Sequence, residues 1–325
     1  MKKRKLQPVV QGDWWLIGQA PDLRRILPAI NVDTPLKREP NDHCIFQSPD
    51  GAWHLWACVR RTEVGRCLCH WETAHLTDSP WRFTGDIIRA DRTAGESCVA
   101  WHGQEFLQSP FVVHHRGTWF MTYGGYAIGV DPAGAPTTDY SRMENQVSLM
   151  TSPDARTWTR HRDALGRSRI FAGPGAVRDQ YLVNFDGVWH IYYAGHHDRD
   201  RNTAGIYVRT SRDLLHWSPW KIAHFDRAPG VTPFIPESPV VVFREGYYYL
   251  FRTHGPEGGT YVYRSDDPCD FGVGDPRGKF VCRLPGIIAP ELVSDRRGNE
   301  YISNICNPRG GYAIHLCRLL RREQA

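Results

Sequence analysis

The chain has 325 residues, 41% hydrophobic and 12% aromatic, with 40 Lys and Arg against 35 Asp and Glu for a net charge of +5. That is enough apolar material for a large core, and the basic residues are too scattered to form a nucleic-acid-binding patch. No apolar run approaches the roughly 18 residues of a membrane span, and none follows Lys2-Lys3-Arg4-Lys5 as a signal peptide would require, so a cytoplasmic protein with no membrane partner is expected.

Residues 1–12 read as a basic tail, and Trp14-Trp15-Leu16-Ile17 as an isolated strand. From there one pattern recurs: a polar residue, an apolar strand, a turn with Gly, then an aromatic-rich strand. Its copies are Asn41-Asp42 with Cys44-Ile45-Phe46, Gly51 and Trp53-His54-Leu55-Trp56; then Gln108-Ser109-Pro110 with Phe111-Val112-Val113, Gly117 and Trp119-Phe120-Met121. The third runs from Arg178-Asp179-Gln180 through Gly187 to Trp189–Tyr193. The fourth runs from Pro236-Glu237-Ser238 through Gly246 to Tyr247–Phe251, and the fifth from Pro290-Glu291 through Gly298 to Tyr301-Ile302. The leading polar residues are 67, 70, 58 and 54 residues apart by subtraction, which leaves room for about four short strands per copy.

This predicts an all-β five-bladed β-propeller with four-stranded antiparallel blades, a single catalytic domain over 13–325. The fifth copy is a strand short, so Trp14–Ile17 is expected to complete it and close the ring. A second recurring signature, Ser or Thr with Asp before an aromatic residue, as in Ser152-Pro153-Asp154, Ser211-Arg212-Asp213 and Ser265-Asp266-Asp267, predicts hydrogen-bonded turns. Asp50, Asp186 and Asp295 precede the hairpin glycines and read as turn formers. The nine cysteines are odd in number and irregularly spaced, which predicts buried free thiols. His196-His197-Asp198 reads as neutral loop histidines, and no metal ligands are expected.

In a propeller the innermost strands line a channel, so their leading residues converge at one mouth. In order these are Asp42, Ser109, Asp179, Glu237 and Glu291, of which four are acidic. Packing gives no reason to assemble repelling carboxylates. Hydrolysis of a glycosidic bond does, since one carboxyl must protonate the leaving oxygen while another activates water or attacks the sugar.

Asn41-Asp42, Arg178-Asp179 and Glu237-Ser238-Pro239, taken blade by blade, resemble the acidic triad of the five-bladed propeller glycosidases, families 43, 32, 62, 68 and 117. Arg178-Asp179-Gln180 is similar to the Arg-Asp-Pro motif of family 32, and Glu237-Ser238-Pro239 to its Glu-Cys-Pro or Glu-Gly-Pro. His43-Cys44 departs from the Asn-Asp-Pro-Asn-Gly of that family, and Ser109-Pro110 departs from the acidic residue usual in family 43. The resemblance implies Asp42 as general base or nucleophile, Asp179 as the residue orienting the sugar and tuning the acid, and Glu237 as general acid. It implies an oligosaccharide substrate ending in a furanoside or related sugar, no required cofactor, and at most a structural calcium ion in the central channel.

Asn41, Trp101, Gln108, Arg178, Arg252, His254 and Glu291 are candidate substrate-binding residues, because flat aromatic faces stack on sugar rings and Arg, Gln and carboxylates bind hydroxyls. Two alternatives stay open. A glycoside phosphorylase, as in the related family 130, would use cations such as Arg252 and His254 for phosphate, and an inactive propeller would only bind carbohydrate. Oligomeric state is not legible.

Overall fold

The computed structural model describes residues 3–27, 36–96, 105–126, 145–173, 175, 177–197, 204–226, 236–254, 258–306 and 312–324. Their regular structure is strand, apart from short helical turns such as Arg92–Ala94 and Arg277–Lys279. No helix among them is long and apolar enough to cross a membrane.

Strand β1 is Leu6–Gly18. Strands β2 (Glu39–Gln47), β3 (Trp53–Thr62), β4 (Gly65–Thr73) and β5 (Arg82–Ile88) make one antiparallel meander. The next contains β6 (Glu105–His115), β7 (Thr118–Tyr126) and β8 (Asn145–Ser152), with the short β9 (Thr159–Arg160) and β10 (Arg169–Ala172) pairing to β8. A parallel contact of β4 with β6, Gly65 opposite Glu105, joins both into a nine-stranded sheet.

Strands β11 (Arg178–Phe185), β12 (Val188–Gly195), β13 (Gly205–Ser211) and β14 (Lys221–Asp226) pair in sequence order. Then come β15 (Pro236–Arg244), β16 (Tyr247–His254) and β17 (Thr260–Ser265). The two-residue β18 (Val273–Gly274) returns in parallel to β14, and β19 (Phe280–Leu284) completes the sheet β15-β16-β17-β19. Finally β20 (Leu292–Ser294), β21 (Glu300–Cys306) and β22 (Tyr312–Glu323) form a sheet with β1 in the order β1-β22-β21-β20.

The chain divides into two compact units: Met1–Trp15, Asp179–Gly310 and Ile314–Ala325 form one, Leu16–Arg178 and Gly311–Ala313 the other.

Turn chemistry explains why the recurring pattern folds as hairpins. Arg116-Gly117, Asp186-Gly187 and Glu245-Gly246 all have positive φ at both residues, 50° and 81°, 50° and 83°, 50° and 86°. That left-handed pair matches strand twist in a two-residue loop, and glycine is the residue that adopts it without a Cβ clash. Each such turn fixes the register of the strands on either side. Strand β3 does not alternate because both its faces are covered, and every residue from Trp53 to Val59 is buried.

The Trp14–Ile17 expectation is met in its pairing, since β1 lies beside β22 and Trp15 packs edge-on against Tyr301 at 6.0 Å. The tail is shorter than expected. Strand begins at Leu6, which is buried and donates its N–H to Tyr249 Oη at 2.8 Å, and Arg4 pairs with Glu245 at 2.8 Å. Basic composition suggested solvated chain, but the alternating burial of Leu6 and Pro8 is that of a paired strand.

The Ser/Asp signatures are turns, as expected. Asp154 accepts from the N–H groups of Arg156 and Thr157 at 2.8 and 2.7 Å, and Asp213 from those of Leu215 and His216, both at 2.9 Å. The eight described cysteines are free thiols, six of them buried.

Candidate active site

The strands that carry the candidate acids share a local irregularity. In β2, Pro40 pairs with Val59 and His43 with Ala57, so Asn41 and Asp42 together oppose Cys58. In β6, Gln108 pairs with Gly124 and Phe111 with Thr122, so Ser109 and Pro110 oppose Tyr123. In β15, Glu237 pairs with Thr253 and Val240 with Phe251, so Ser238 and Pro239 oppose Arg252. Each is a β-bulge with two residues against one, which explains the prolines: a bulged position need not donate to the ladder. Ser109 and Ser238 have φ of 51° and 48°, and Asp179, second residue of β11, has 57°. A left-handed conformation at a residue other than glycine stores roughly 1 kcal/mol or more. Here it is stored at the strand ends that carry the acids.

The register corrects one expectation. Asp42, Ser109 and Glu237 are not equivalent positions. Glu237 precedes its bulge and matches Gln108 and Pro40, whereas Asp42 is the second bulged residue and matches Pro110 and Pro239. A slip of one residue changes the face on which a side chain lies, and the bulge resets that alternation.

Asp42 is half-buried and accepts a hydrogen bond from Ser109 Oγ at 3.1 Å. Burial opposes the charge of neighbouring Arg60, but the Asp42 carboxylate and a hydrogen bond between Arg60 and Tyr312 outweigh it and raise the Arg60 pKa. The Arg60 guanidinium also lies 4.6 Å from the Tyr312 ring centroid. Beside Asp42, the Asn41 carbonyl accepts from His43 Nδ1 at 3.0 Å, and burial lowers the His43 pKa to about 4, so this imidazole is neutral at physiological pH. Cys58, opposite the bulge, is no nucleophile, because burial pushes its thiol up to about 12.

Asp179 is buried, and its Oδ2 accepts the backbone N–H of Ser238 at 3.2 Å. This bond fixes one candidate carboxylate against the residue that follows Glu237. Glu237 itself is half-buried. Glu291 is held by its backbone, donating its N–H to Ser303 Oγ at 2.7 Å and accepting from Ser303 N at 3.0 Å.

Arg252 is buried, at 1% exposure. Its Nε donates to His224 Nε2 at 3.0 Å, Nη2 to Tyr263 Oη at 3.0 Å, and Nη1 meets His254 Nδ1 at 2.8 Å. His224 Nδ1 lies 3.0 Å from the Phe271 carbonyl, which fixes its tautomer, and burial followed by the Arg252 charge lowers its pKa to about 3. Arg252, held by the neutral His224, meets His254, which is half-buried at the end of β16. His224 and Tyr263 carry no motif, and the sequence offers no signal for them beyond their place on strands beside Arg252.

Gln108 is buried and accepts from Arg66 Nη1 at 3.0 Å. Arg178 is half-buried at the start of β11. Trp101 and Asp198 lie outside the described residues. His197 Nδ1 meets Tyr207 Oη at 2.7 Å and its ring stacks on Trp220. Asp42 thus sits with Ser109 and Arg60 in one unit, while in the other Asp179 sits beside the Glu237-Ser238 step and Arg252 beside His254. Among the described residues one group of side chains is spaced to hold a metal ion, His54, His70 and Glu72, and it contains none of these acids.

The nearly all-β chain has the fold of the propeller glycoside hydrolases. It aligns with a thermostable family-43 glycoside hydrolase at a TM-score of 0.58 and 16% identity, covering 90% of this chain and 92% of that one. It aligns with the family-32 beta-fructofuranosidase of Bombyx mori at a TM-score of 0.59 and 16% identity, over 89% of this chain and 60% of that one. The Bacillus subtilis arabinanase gives 0.57 at 12% identity, over 89% and 96%. Among curated proteins, an ulvan lyase of Alteromonas sp. (strain LOR) is 22% identical over 162 residues, 49% of this chain and 31% of that protein. No family model matches the sequence.

Proposed function

We propose that the protein is a glycosidase that cleaves terminal glycosidic bonds of short oligosaccharides, with Glu237 as general acid and Asp42 as general base or nucleophile. Asp179 holds the sugar and the acid in place. The five recurring strand sets are read as the blades of a propeller. The observation that carries this reading is the Asp179 carboxylate bonded to Ser238 N–H next to Glu237, at a left-handed residue in a fold shared with glycoside hydrolases.

The chemistry follows from the two carboxyls. A protonated Glu237 donates to the departing glycosidic oxygen as positive charge develops on the sugar ring. Asp42, held by Ser109 Oγ, either removes a proton from attacking water or attacks the anomeric carbon itself. Asn41, Gln108, Arg178 and Glu291 bind ring hydroxyls, and Trp101 stacks on a sugar face. The terminal sugar is a furanoside or a related one.

A second reading has two observations in its favour. The pairing of Arg252 with His254, together with the match to a protein named ulvan lyase, supports elimination rather than hydrolysis, with His254 as the base that removes a ring proton.

The test incubates wild type, Glu237→Gln and His254→Gln with a panel of aryl glycosides and oligosaccharides, with and without phosphate. Release of a reducing sugar by wild type and not by Glu237→Gln supports the glycosidase. An unsaturated, ultraviolet-absorbing product lost in His254→Gln establishes the lyase instead, and a sugar phosphate formed only with phosphate establishes a phosphorylase. Equal turnover by Glu237→Gln overturns the acid assignment.

A further inference from the structure

Away from the candidate acids, the hairpin of β3 and β4 carries a buried row of polar groups that ends in a carboxylate on either side. His54 and His70 are 0% and 1% exposed. His54 lies opposite Glu72 in the ladder, and His70 opposite Trp56, so the four alternate on one face of the hairpin. The Trp56 ring stacks on His70 at 4.7 Å and 8°, and Phe46 stacks on His54 at 5.0 Å and 15°. The row runs Asp86 Oδ2 to His70 Nδ1, 3.0 Å; His70 Nε2 to His54 Nδ1, 2.9 Å; His54 Nε2 to Ser48 Oγ, 2.9 Å; and Ser48 Oγ to Asp50 Oδ1.

Protons can be counted along this row. Four contacts join five groups, and with both aspartates ionised each contact needs one proton. Two neutral imidazoles and one hydroxyl supply three. Thr84 Oγ1, at 3.2 Å from His70 Nδ1, is also 3.1 Å from the His70 carbonyl, where its own proton is accommodated.

Three protons leave one contact without one; with His70 Nδ1–H to Asp86, His54 Nε2–H to Ser48, and Ser48 O–H to Asp50, that contact is the central one. Two imidazole lone pairs then face each other across the central gap. Beside that gap stands the Glu72 carboxylate, with its ligand atom and those of both histidines within 4.8 Å of one another. The gap calls for a cation.

We propose that His54 Nδ1, His70 Nε2 and a Glu72 oxygen form a binding site for a divalent transition-metal ion of the zinc class. Two imidazoles and one carboxylate are the donor set such ions prefer over calcium or magnesium. With the protons so placed, each histidine donates its other N–H to an oxygen acceptor, the arrangement that orients ligating imidazoles and raises their basicity. Zinc–nitrogen bonds of about 2.1 Å at a tetrahedral angle need the two nitrogens roughly 3.4 Å apart, so the hairpin must open by about half an ångström.

The alternative occupant is a fourth proton. A proton there would make one ring an imidazolium, which nitrogen NMR distinguishes from a metal-bound imidazole. Glu72 also pairs with Arg82, and with Arg156 at 3.2 Å, while Asp50 pairs with Arg156 at 3.1 Å. A carboxylate oxygen has lone pairs for both an arginine and a metal. The ion would clamp β3 to β4 and act on stability.

The test is to titrate chelator-stripped, full-length protein with cobalt(II) and zinc(II). One equivalent of cobalt should bind with the intense visible bands of a four-coordinate site, zinc should displace it, and zinc should raise the melting temperature. Glu72→Gln, a half-buried change that leaves the stack of rings intact, should weaken cobalt binding at least tenfold. His70→Gln should abolish the bands. Absence of stoichiometric uptake by the wild type overturns the proposal. So do bands unchanged in both variants, and so does an imidazolium at His54 or His70, seen by nitrogen NMR at neutral pH, that persists when metal is added.

Discussion

The hairpin strands have two unlike ends, although acidic residues mark both. At the turn end, Asp295 accepts from the N–H groups of Arg297 and Asn299 at 2.9 and 2.8 Å, and Asp50 from Ala52 N at 3.2 Å. These carboxylates close loops, and their hydrogen bonds outweigh burial to lower their pKa. At the other end, Asp42, Asp179 and Glu237 sit at or beside bulges and left-handed residues. Asp179 bonds to Ser238, 59 residues on, rather than to its own turn. Carboxylates that organise their own loop act on stability. Carboxylates placed by strain and contacts remote in sequence are where chemistry is expected.

The sharpest way to break that comparison is to neutralise one acid from each end. Glu237→Gln and Asp42→Asn should each lower kcat by about 10³-fold or more, within the range of a lost general acid or base, with melting temperatures close to wild type. Asp295→Ala should do the reverse, leaving kcat unchanged. An equal loss of activity at both ends would remove the distinction.

A buried carboxylate of a third kind sets the scale for stability. Glu96, 1% exposed, accepts from Arg160 Nε and Nη2 at 2.8 and 3.0 Å, from Ser168 Oγ at 2.9 Å, and from Tyr123 Oη. Removing it leaves a guanidinium without its anion, so Glu96→Ala should cost about 3–5 kcal/mol in denaturant unfolding. A loss below about 1 kcal/mol would show that solvent reaches the cluster.

Acid should act next, through histidines rather than carboxylates. His43 and His224 have folded pKa values of about 4 and about 3, below the ordinary 6.5. Between those limits the unfolded chain binds protons that the folded one refuses, so stability falls as pH drops below about 6.5 and keeps falling to about 3. The effect is on the order of a few kcal/mol. Melting temperatures should decline from pH 7 to 5, where the turn carboxylates are still ionised. A flat profile over that range would mean that these imidazoles are hydrated.

Much of the fold was legible, because its determinants are local. X-Gly turns and apolar runs locate the hairpins, and Trp14–Ile17 reads as the strand that joins the C-terminal sheet. The site was legible only as residue types. A bulge shifts register by one, and the sequence marks it only through Pro110 and Pro239, so Asp42 and Glu237 read as equivalent when they are not. The tie between Arg252, His224 and Tyr263 spans three strands, and no spacing rule carries it.

The smallest expected effect tests the bulge itself. Ser238 holds φ at 48°, and glycine adopts that conformation without a Cβ clash. If Ser238 serves only to connect strands, Ser238→Gly should stabilise the protein by about 0.5–1 kcal/mol and leave kcat unchanged. If its N–H must hold Asp179 Oδ2 in place, the added backbone freedom should loosen that bond. The variant would then gain stability and lose activity by several fold, with the loss in kcat rather than KM. That split is the expected outcome, because the strained serine fixes one candidate carboxylate beside another.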